Sequence, residues 1–229
     1  MSINTAEDFI LTVHYRLLEF YRNQIRYDHN YDPVSELVSS LLSHRTTNQN
    51  EKLAFDNLLT RFGSWENVMR ASLEAIIQEI KPTTWPEQKA PRLKRALQMI
   101  VDKTGKLSLD FLSGLDAMKA RKWLEALPGV GPKSSAAILS YSTLKARALP
   151  VDSHHFRVAV RLGIIDKKLG EIKANLVLEN LLPKSFTAMD VFENHQVMML
   201  HGQQICFYHN PKCGECILLD ICPTGQLLF

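Results

Sequence analysis

No cysteine occurs in the first 205 residues of this 229-residue chain. Disulfide staples are thereby excluded for nearly all of it, and its core must rest on apolar packing, for which 45% apolar content is ample. No run of about 18 apolar residues is present that could cross a bilayer as a helix. The opening MSINTAEDFILTVHYRLL has no basic n-region, apolar h-region or small-residue cleavage site, so a soluble, cytoplasmic protein with no membrane partner is expected. Convincing strand alternation is absent, as are internal repeats and low-complexity linkers, and composition alone fixes no domain boundary. The P-loop spacing Gly-x4-Gly-Lys-Ser/Thr is missing too, which excludes that grip on a nucleotide.

Net charge is equally scarce. A formal +3 is too small to argue for a polyanionic partner, but its distribution is uneven: Lys81 to Arg161 carries 15 Lys or Arg against 6 Asp or Glu. Such a stretch suits a phosphate-facing surface, or equally a set of ordinary solvated helix faces.

What the chain does contain is helix punctuation. Asp32-Pro33 supplies a cap and a first-turn proline ahead of Val34, Leu37, Val38, Leu41 and Leu42. Asn48 is the expected cap of a following helix that stops at Gly63, while Ser72 and Asp116 offer further caps. Leu93, Leu97, Ile100 and Val101 recur at helical spacing, and Val197 to Leu200 reads as a buried helix. Phe156 to Val160 is apolar enough for a strand, yet Asp152-Ser153 before it and Gly163 after it favour a helix.

Three motifs carry chemistry. The first is Leu127-Pro128-Gly129-Val130-Gly131-Pro132-Lys133, a glycine turn between a helix ending near Ala126 and another starting at Pro132. A helix-hairpin-helix of this kind exposes backbone N–H groups beside a positive helix terminus, an anion site fit for a DNA phosphate; it can also be only a turn. Lys133 sits where the helix dipole works against a cation, which favours the free amine needed for nucleophilic attack and Schiff-base formation. The plainer alternative is a lysine reaching solvent or phosphate. The second motif is Val151-Asp152-Ser153-His154-His155-Phe156-Arg157-Val158, in which Asp152 is suited to cap a helix. A carboxylate held that way stays ionised and can support positive charge on a sugar or activate water.

The third motif is Cys206, Cys213, Cys216 and Cys222, spaced C-x6-C-x2-C-x5-C. Four thiolates in one short segment of an intracellular chain are more readily ligands of one soft centre than bridges, and zinc and iron-sulfur both satisfy that chemistry.

In this order, LPGVGPKSS, VDSHHFRV, HGQQIC and the cysteine tail resemble the endonuclease III family of helix-hairpin-helix DNA glycosylases, from about Leu37 to Cys222. The resemblance implies an all-α protein of two lobes with a DNA-binding cleft between them. One, residues 26–145, would be a six-helix barrel holding the hairpin at about 120–140; the other, residues 1–25 and 146–229, would surround a [4Fe-4S] cluster. It implies that Lys133 is the nucleophile, Asp152 the catalytic carboxylate and the four cysteines the cluster ligands. Gly129, Val130, Gly131 and Lys212 would meet the DNA backbone. The activity implied is that of a monomeric DNA N-glycosylase and abasic-site lyase working on damaged bases, oxidised pyrimidines in the family's usual case, in duplex DNA. Relatives that remove mispaired adenine lack the lysine, and with Phe229 the last residue no counterpart of their extra recognition domain is expected.

Two segments depart from the family. Leu-Leu-Ser-x-Gln-x-Thr-Asp becomes Leu41-Leu42-Ser43-His44-Arg45-Thr46-Thr47-Asn48, so the glutamine that fills the gap left by a flipped base is Arg45. Around Lys81 to Ala90 the usual Gly-hydrophobe-Tyr is missing, and Trp85 falls near the hydrophobic wedge. Both changes fall on recognition positions, while the residues of the chemistry remain. Competing readings are a same-fold glycosylase for mispaired thymine or a modified cytosine, a cluster-containing DNA-binding or redox protein without catalysis, and a zinc-stabilised structural module. His154, His155, His195 and His201 are expected to be packed or hydrogen-bonded rather than to form a metal site.

Overall fold

The computed structural model describes residues 5–27 and 30–228, and among them every regular element is helical, as the sequence leads one to expect. The α-helices run α1 Ala6–Tyr21, α2 Pro33–Ser43, α3 Asn48–Phe62, α4 Trp65–Arg70, α5 Leu73–Glu79, α6 Pro86–Thr104 and α7 Ala117–Glu125. They continue with α8 Pro132–Tyr141, α9 Ser153–Arg161, α10 Gly170–Leu181, α11 Ala188–Gln204 and α12 Pro223–Leu228. No helix is long and apolar enough to cross a membrane among the described residues.

The chain divides into two compact units, His29–Ala146 and Met1–Asp28 with Arg147–Phe229. In the first, α2 is buried on every side from Pro33 to Leu42, its polar Ser35, Glu36, Ser39 and Ser40 included, and packs against α8, α3 and α6. Leu93, Leu97 and Ile100 of α6 are fully buried at the spacing read from the sequence, while Val101 lies at the edge of that face. Each such side chain contributes roughly 2 kcal/mol of apolar burial. Caps form where short polar side chains precede the helices: Asp32 accepts from the Val34 and Ser35 amides, Ser72 from Ala75 and Asp116 from Lys119. Gly63 ends α3 in the left-handed region at φ 74°.

One cap differs from expectation. Thr47, not Asn48, caps α3, its hydroxyl accepting from the Asn50 amide at 3.3 Å, and Asn48 becomes the first helical residue. Both residue types cap well, and the one that wins is the one left in extended backbone.

In the second unit α1 and α9 pack on α11. Capping boxes open α1 (Thr5 with Asp8) and α11 (Thr187 with Asp190). Phe156 to Val160 is helical, and Val197 and Met198 are buried. The glycine of HGQQIC has a packing reason: a Cβ on Gly202 would stand 2.8 Å from His154 Cβ and 3.1 Å from its backbone, so α11 reaches α9 only without a side chain.

Candidate functional site

The glycine hairpin forms between α7 and α8. Gly129 turns the chain at φ 86°, Gly131 precedes α8 as its cap in extended backbone, and Pro132 fills the first helical position. A Cβ at Gly129 would also lie 2.9 Å from Leu41 Cδ2. Val130 is buried and its amide is bonded to the Leu127 carbonyl at 3.2 Å, so its part is to fix the turn. Among the described residues, the turn and the opening of α8 leave the amides of Gly129, Gly131, Lys133 and Ser134 without an internal partner. Lys133 follows as the second residue of α8, half-buried. Its neighbour Ser134 meets His44 Nε2 at 3.1 Å through its hydroxyl. Burial pushes His44 down to about 4, assisted by the cations Lys133, Lys89 and Arg92, so its imidazole is neutral at physiological pH.

Arg45 and Trp85 belong to the same unit, and both are exposed. Each takes a left-handed backbone, φ 52° and φ 55°, unusual for residues with a Cβ. The Arg45 guanidinium carbon lies 5.6 Å from the Trp85 ring centroid, a cation–π pair. A recess of about 520 Å³ opens beside them, lined also by Leu41, His44, Gln88, Lys89 and Arg92. The sequence announced both residues but gave no sign that they touch.

In the other unit Asp152 caps α9, its Oδ1 accepting from the His155 amide at 2.7 Å, and it is half-buried. His155 and His195 stack with their Nδ1 atoms 3.3 Å apart; burial, then His195, holds His155 well below the usual imidazole range. Buried side chains with internal partners, not a ligand set, are what these histidines form.

The four cysteines line one recess of about 410 Å³, walled by Val158, Leu162, Leu218 and Gly225. Donors converge on the sulfurs: Arg161 Nη1 on Cys206 Sγ at 3.2 Å, the Leu218 amide on Cys216 Sγ at 3.4 Å, the Gly225 amide on Cys222 Sγ at 3.3 Å. His201 Nε2 is 3.5 Å from Cys216 Sγ and its Nδ1 3.2 Å from the Tyr21 hydroxyl, so it supports the cysteines from behind. A Cβ at Gly225 would come 3.4 Å from Cys222 Sγ and 3.2 Å from Leu219. Burial, opposed by the Leu218 amide and reinforced by the other three sulfurs, raises the Cys216 thiol to about 11. Sulfurs so crowded ionise together only around a cationic centre, and an apolar recess with N–H donors aimed at sulfur fits such a centre.

Two arginines that sequence reasoning passed over hold this corner. Arg157 donates to the carbonyls of Gly202 (2.6 Å) and Cys206 (2.8 Å), and Arg161 to those of Phe207 (2.6 Å) and Tyr208 (3.0 Å). Their i,i+4 spacing on α9 was the available signal. Part of the basic middle therefore serves internal structure rather than a phosphate surface: Lys89 and Arg121 are buried, and Lys94 and Arg147 donate to backbone carbonyls. Lys212 is exposed, with Glu215 at 3.6 Å.

Residues 38–184 match the family described as HhH-GPD superfamily base excision DNA repair protein. The chain is 31% identical over 191 residues to endonuclease III of Thermotoga maritima, covering 83% of each. It is 31% identical over 170 residues to a putative DNA glycosylase of Arabidopsis thaliana, covering 74% of this chain and 56% of that relative's length. Among solved structures, a trapped endonuclease III–DNA covalent intermediate superposes with a TM-score of 0.82 at 21% identity over 99% of both chains. A thermostable thymine-DNA glycosylase does so at 0.78 and 22%, over 96% of this chain and 97% of that one. At such identities the likeness speaks for the fold, and the sequence relatives speak for the family. The chain belongs to the endonuclease III family of the HhH-GPD base excision repair superfamily, a family of DNA glycosylases and abasic-site lyases that work on duplex DNA.

Proposed function

We propose that this protein is a bifunctional DNA glycosylase and abasic-site lyase, with Lys133 as nucleophile, Asp152 as supporting carboxylate and oxidised pyrimidines as the substrate class. The observation that carries the reading is a half-buried lysine in the first turn of α8, directly behind a hairpin whose Gly129 and Gly131 amides are open to a phosphate. Duplex DNA presents the damaged nucleotide only after extrusion, which a lesion makes easier by weakening stacking. The lone pair of Lys133 Nζ then forms a bond to C1′ as the C1′–N bond breaks and its electron pair leaves with the base, which takes up a proton. Asp152, oriented by the α9 amide it caps, stabilises the positive charge that develops on the sugar. Loss of the amine proton and opening of the ring give the Schiff base. Removal of a 2′ proton then expels the 3′ phosphate by elimination, nicking the strand.

Cys206, Cys213, Cys216 and Cys222 suit a [4Fe-4S] cluster, which when bound supplies soft cationic charge that ties the four sulfurs together. The segment so ordered carries Lys212, which serves as a phosphate contact. Arg45 enters the gap left by the extruded nucleotide and Trp85 wedges beside it. Because this cation–aromatic pair stands where the family carries a glutamine and a Gly-hydrophobe-Tyr segment, a second reading keeps the chemistry and changes the target, to mispaired thymine or a modified cytosine. A panel of lesion-bearing duplexes separates the two.

Borohydride trapping on a duplex with one abasic site tests the common core. Wild type is expected to give a covalent protein–DNA adduct and Lys133→Ala none. No adduct with either protein would remove the Schiff-base chemistry and favour a binding protein without catalysis. A brown preparation with broad visible absorbance is expected of the cluster; a colourless, zinc-containing one would overturn it.

A further inference from the structure

Lys89, only 5% exposed, is a buried cation that the reaction above does not use. Its Nζ donates to the Leu42 carbonyl at the end of α2, 2.6 Å away, and to Thr46 Oγ1 at 2.7 Å. That hydroxyl is a junction: it also accepts from the Thr84 amide at 3.2 Å and donates to the His44 carbonyl at 3.3 Å. The Thr84 hydroxyl in turn donates to the Arg45 carbonyl at 2.8 Å. One buried ammonium thus ties the end of α2, the 44–47 loop and the 83–85 loop into a single hydrogen-bonded knot.

Arg45 and Trp85 project from those two loops. Both hold left-handed backbone, and a conformation so unfavourable for a residue with a Cβ persists only where its surroundings fix it. The knot around Lys89 is what fixes it, and the outcome is a guanidinium already stacked on an indole. We infer that Lys89 is a positioning residue that assembles Arg45 and Trp85 into a preformed pair, so that the two enter the duplex as one rigid unit. The inference rests on the proposed entry of Arg45 and Trp85 into the duplex. A cation bonded to the Leu42 carbonyl also suits the carbonyl terminus of α2, and a mere cap is the rival explanation.

The test compares borohydride trapping rates on an abasic-site duplex and on the same abasic strand without its complement, where no gap needs filling. Lys89→Met is expected to slow the duplex reaction about tenfold or more, since small misplacements of this kind cost rates of that order, while the single-stranded rate falls less than about threefold. In an Arg45→Ala background Lys89→Met should add little, because a residue acting through Arg45 has nothing left to position. Equal losses on both substrates, an undiminished duplex rate, or full additivity with Arg45→Ala would each overturn the inference in favour of a cap. If Arg45→Ala alone leaves the duplex rate untouched, the proposed role of Arg45 falls, and the inference with it; if wild type traps on neither substrate, the lyase reading itself has failed. Should Lys89→Met not fold, Thr46→Val removes the junction hydroxyl at nearly constant shape, and the same pattern is required of it.

Discussion

The two units are built on different terms. In residues 29–146 helices close over a largely aliphatic core, with α2 buried on all sides, and the polar side chains inside are mostly serines, beside Glu36, Thr83, Lys89 and Arg121. In the other unit the interior is interrupted by His14, His155, Asn175, Asn194, His195 and His201, and its last segment has mostly short 3-10 turns around four sulfurs. The first unit rests on aliphatic burial with mostly small hydroxyls set within it. The second depends on polar pairings, arginine clamps and whatever the cysteines hold, so the same insult should affect the two unequally.

The largest test of that difference is Cys216→Ser. Removing one ligand is expected to bleach the visible absorbance and to open the backbone from about Arg157 to Cys222 to hydrogen exchange, because binding energy at such a centre is folding energy. Amides of α2, α6 and α8 should keep their protection. Equal loss of protection in both units would mean that they fold as one cooperative body and that the contrast is false.

Acid gives the next test. Burial lowers His14 to about 4, against a smaller opposing effect of Asp190, and His155 is lowered as well. With folded values below the unfolded 6.5, the unfolded chain binds more protons in between. Stability is therefore complete above about pH 6.5 and is lost as pH falls towards 4, by an amount on the order of 2 kcal/mol for each such buried histidine. Both belong to the cysteine-bearing unit, whereas the described part of the other unit has His44 alone. Hydrogen exchange at pH 5 should open α1, α9 and α11 ahead of α2 and α6, and His14→Asn should flatten the pH dependence. A uniform acid response would contradict the contrast.

This unevenness explains what could be read in the sequence. Helix boundaries and the aliphatic face of α6 were legible because caps and apolar spacing are local signals, and the one slip, Asn48 for Thr47, concerned two neighbouring residues of types that both cap. The cysteine spacing and the PGVGPK hairpin were legible because their chemistry lies in contiguous residues. The Lys89–Thr46–Thr84 knot was not, since its members lie up to 43 residues apart and consist of residue types that usually sit on surfaces. Arg157 and Arg161 stood in the sequence only as part of a basic stretch that suits phosphate or solvated helix faces equally, and only the fold reveals that they bind carbonyls around Cys206. Local patterns announce elements; pairings across the chain depend on a register that composition does not encode.

Two glycines sharpen the comparison at the scale of one methyl group. At Gly202, inside α11, alanine would ordinarily help the helix by about 1 kcal/mol. Here its Cβ would lie 2.8 Å from His154 Cβ and 3.1 Å from His154 backbone, neither of which can swing aside, so Gly202→Ala should lower stability by roughly 1–3 kcal/mol and disturb the Arg157 bond to the Gly202 carbonyl. At Gly129 the obstacle is Leu41 Cδ2, the far end of a flexible side chain, together with a positive φ whose cost for alanine is about 1 kcal/mol. Gly129→Ala should therefore melt closer to wild type, yet it alters the turn that presents the free amides at the start of α8. Its measurable effect should be weaker binding of abasic-site duplex with a smaller loss of stability, the reverse of Gly202→Ala. If Gly129→Ala instead bound duplex as tightly as wild type, the hairpin would be a connector between α7 and α8 and the phosphate grip would have to lie elsewhere in the basic middle.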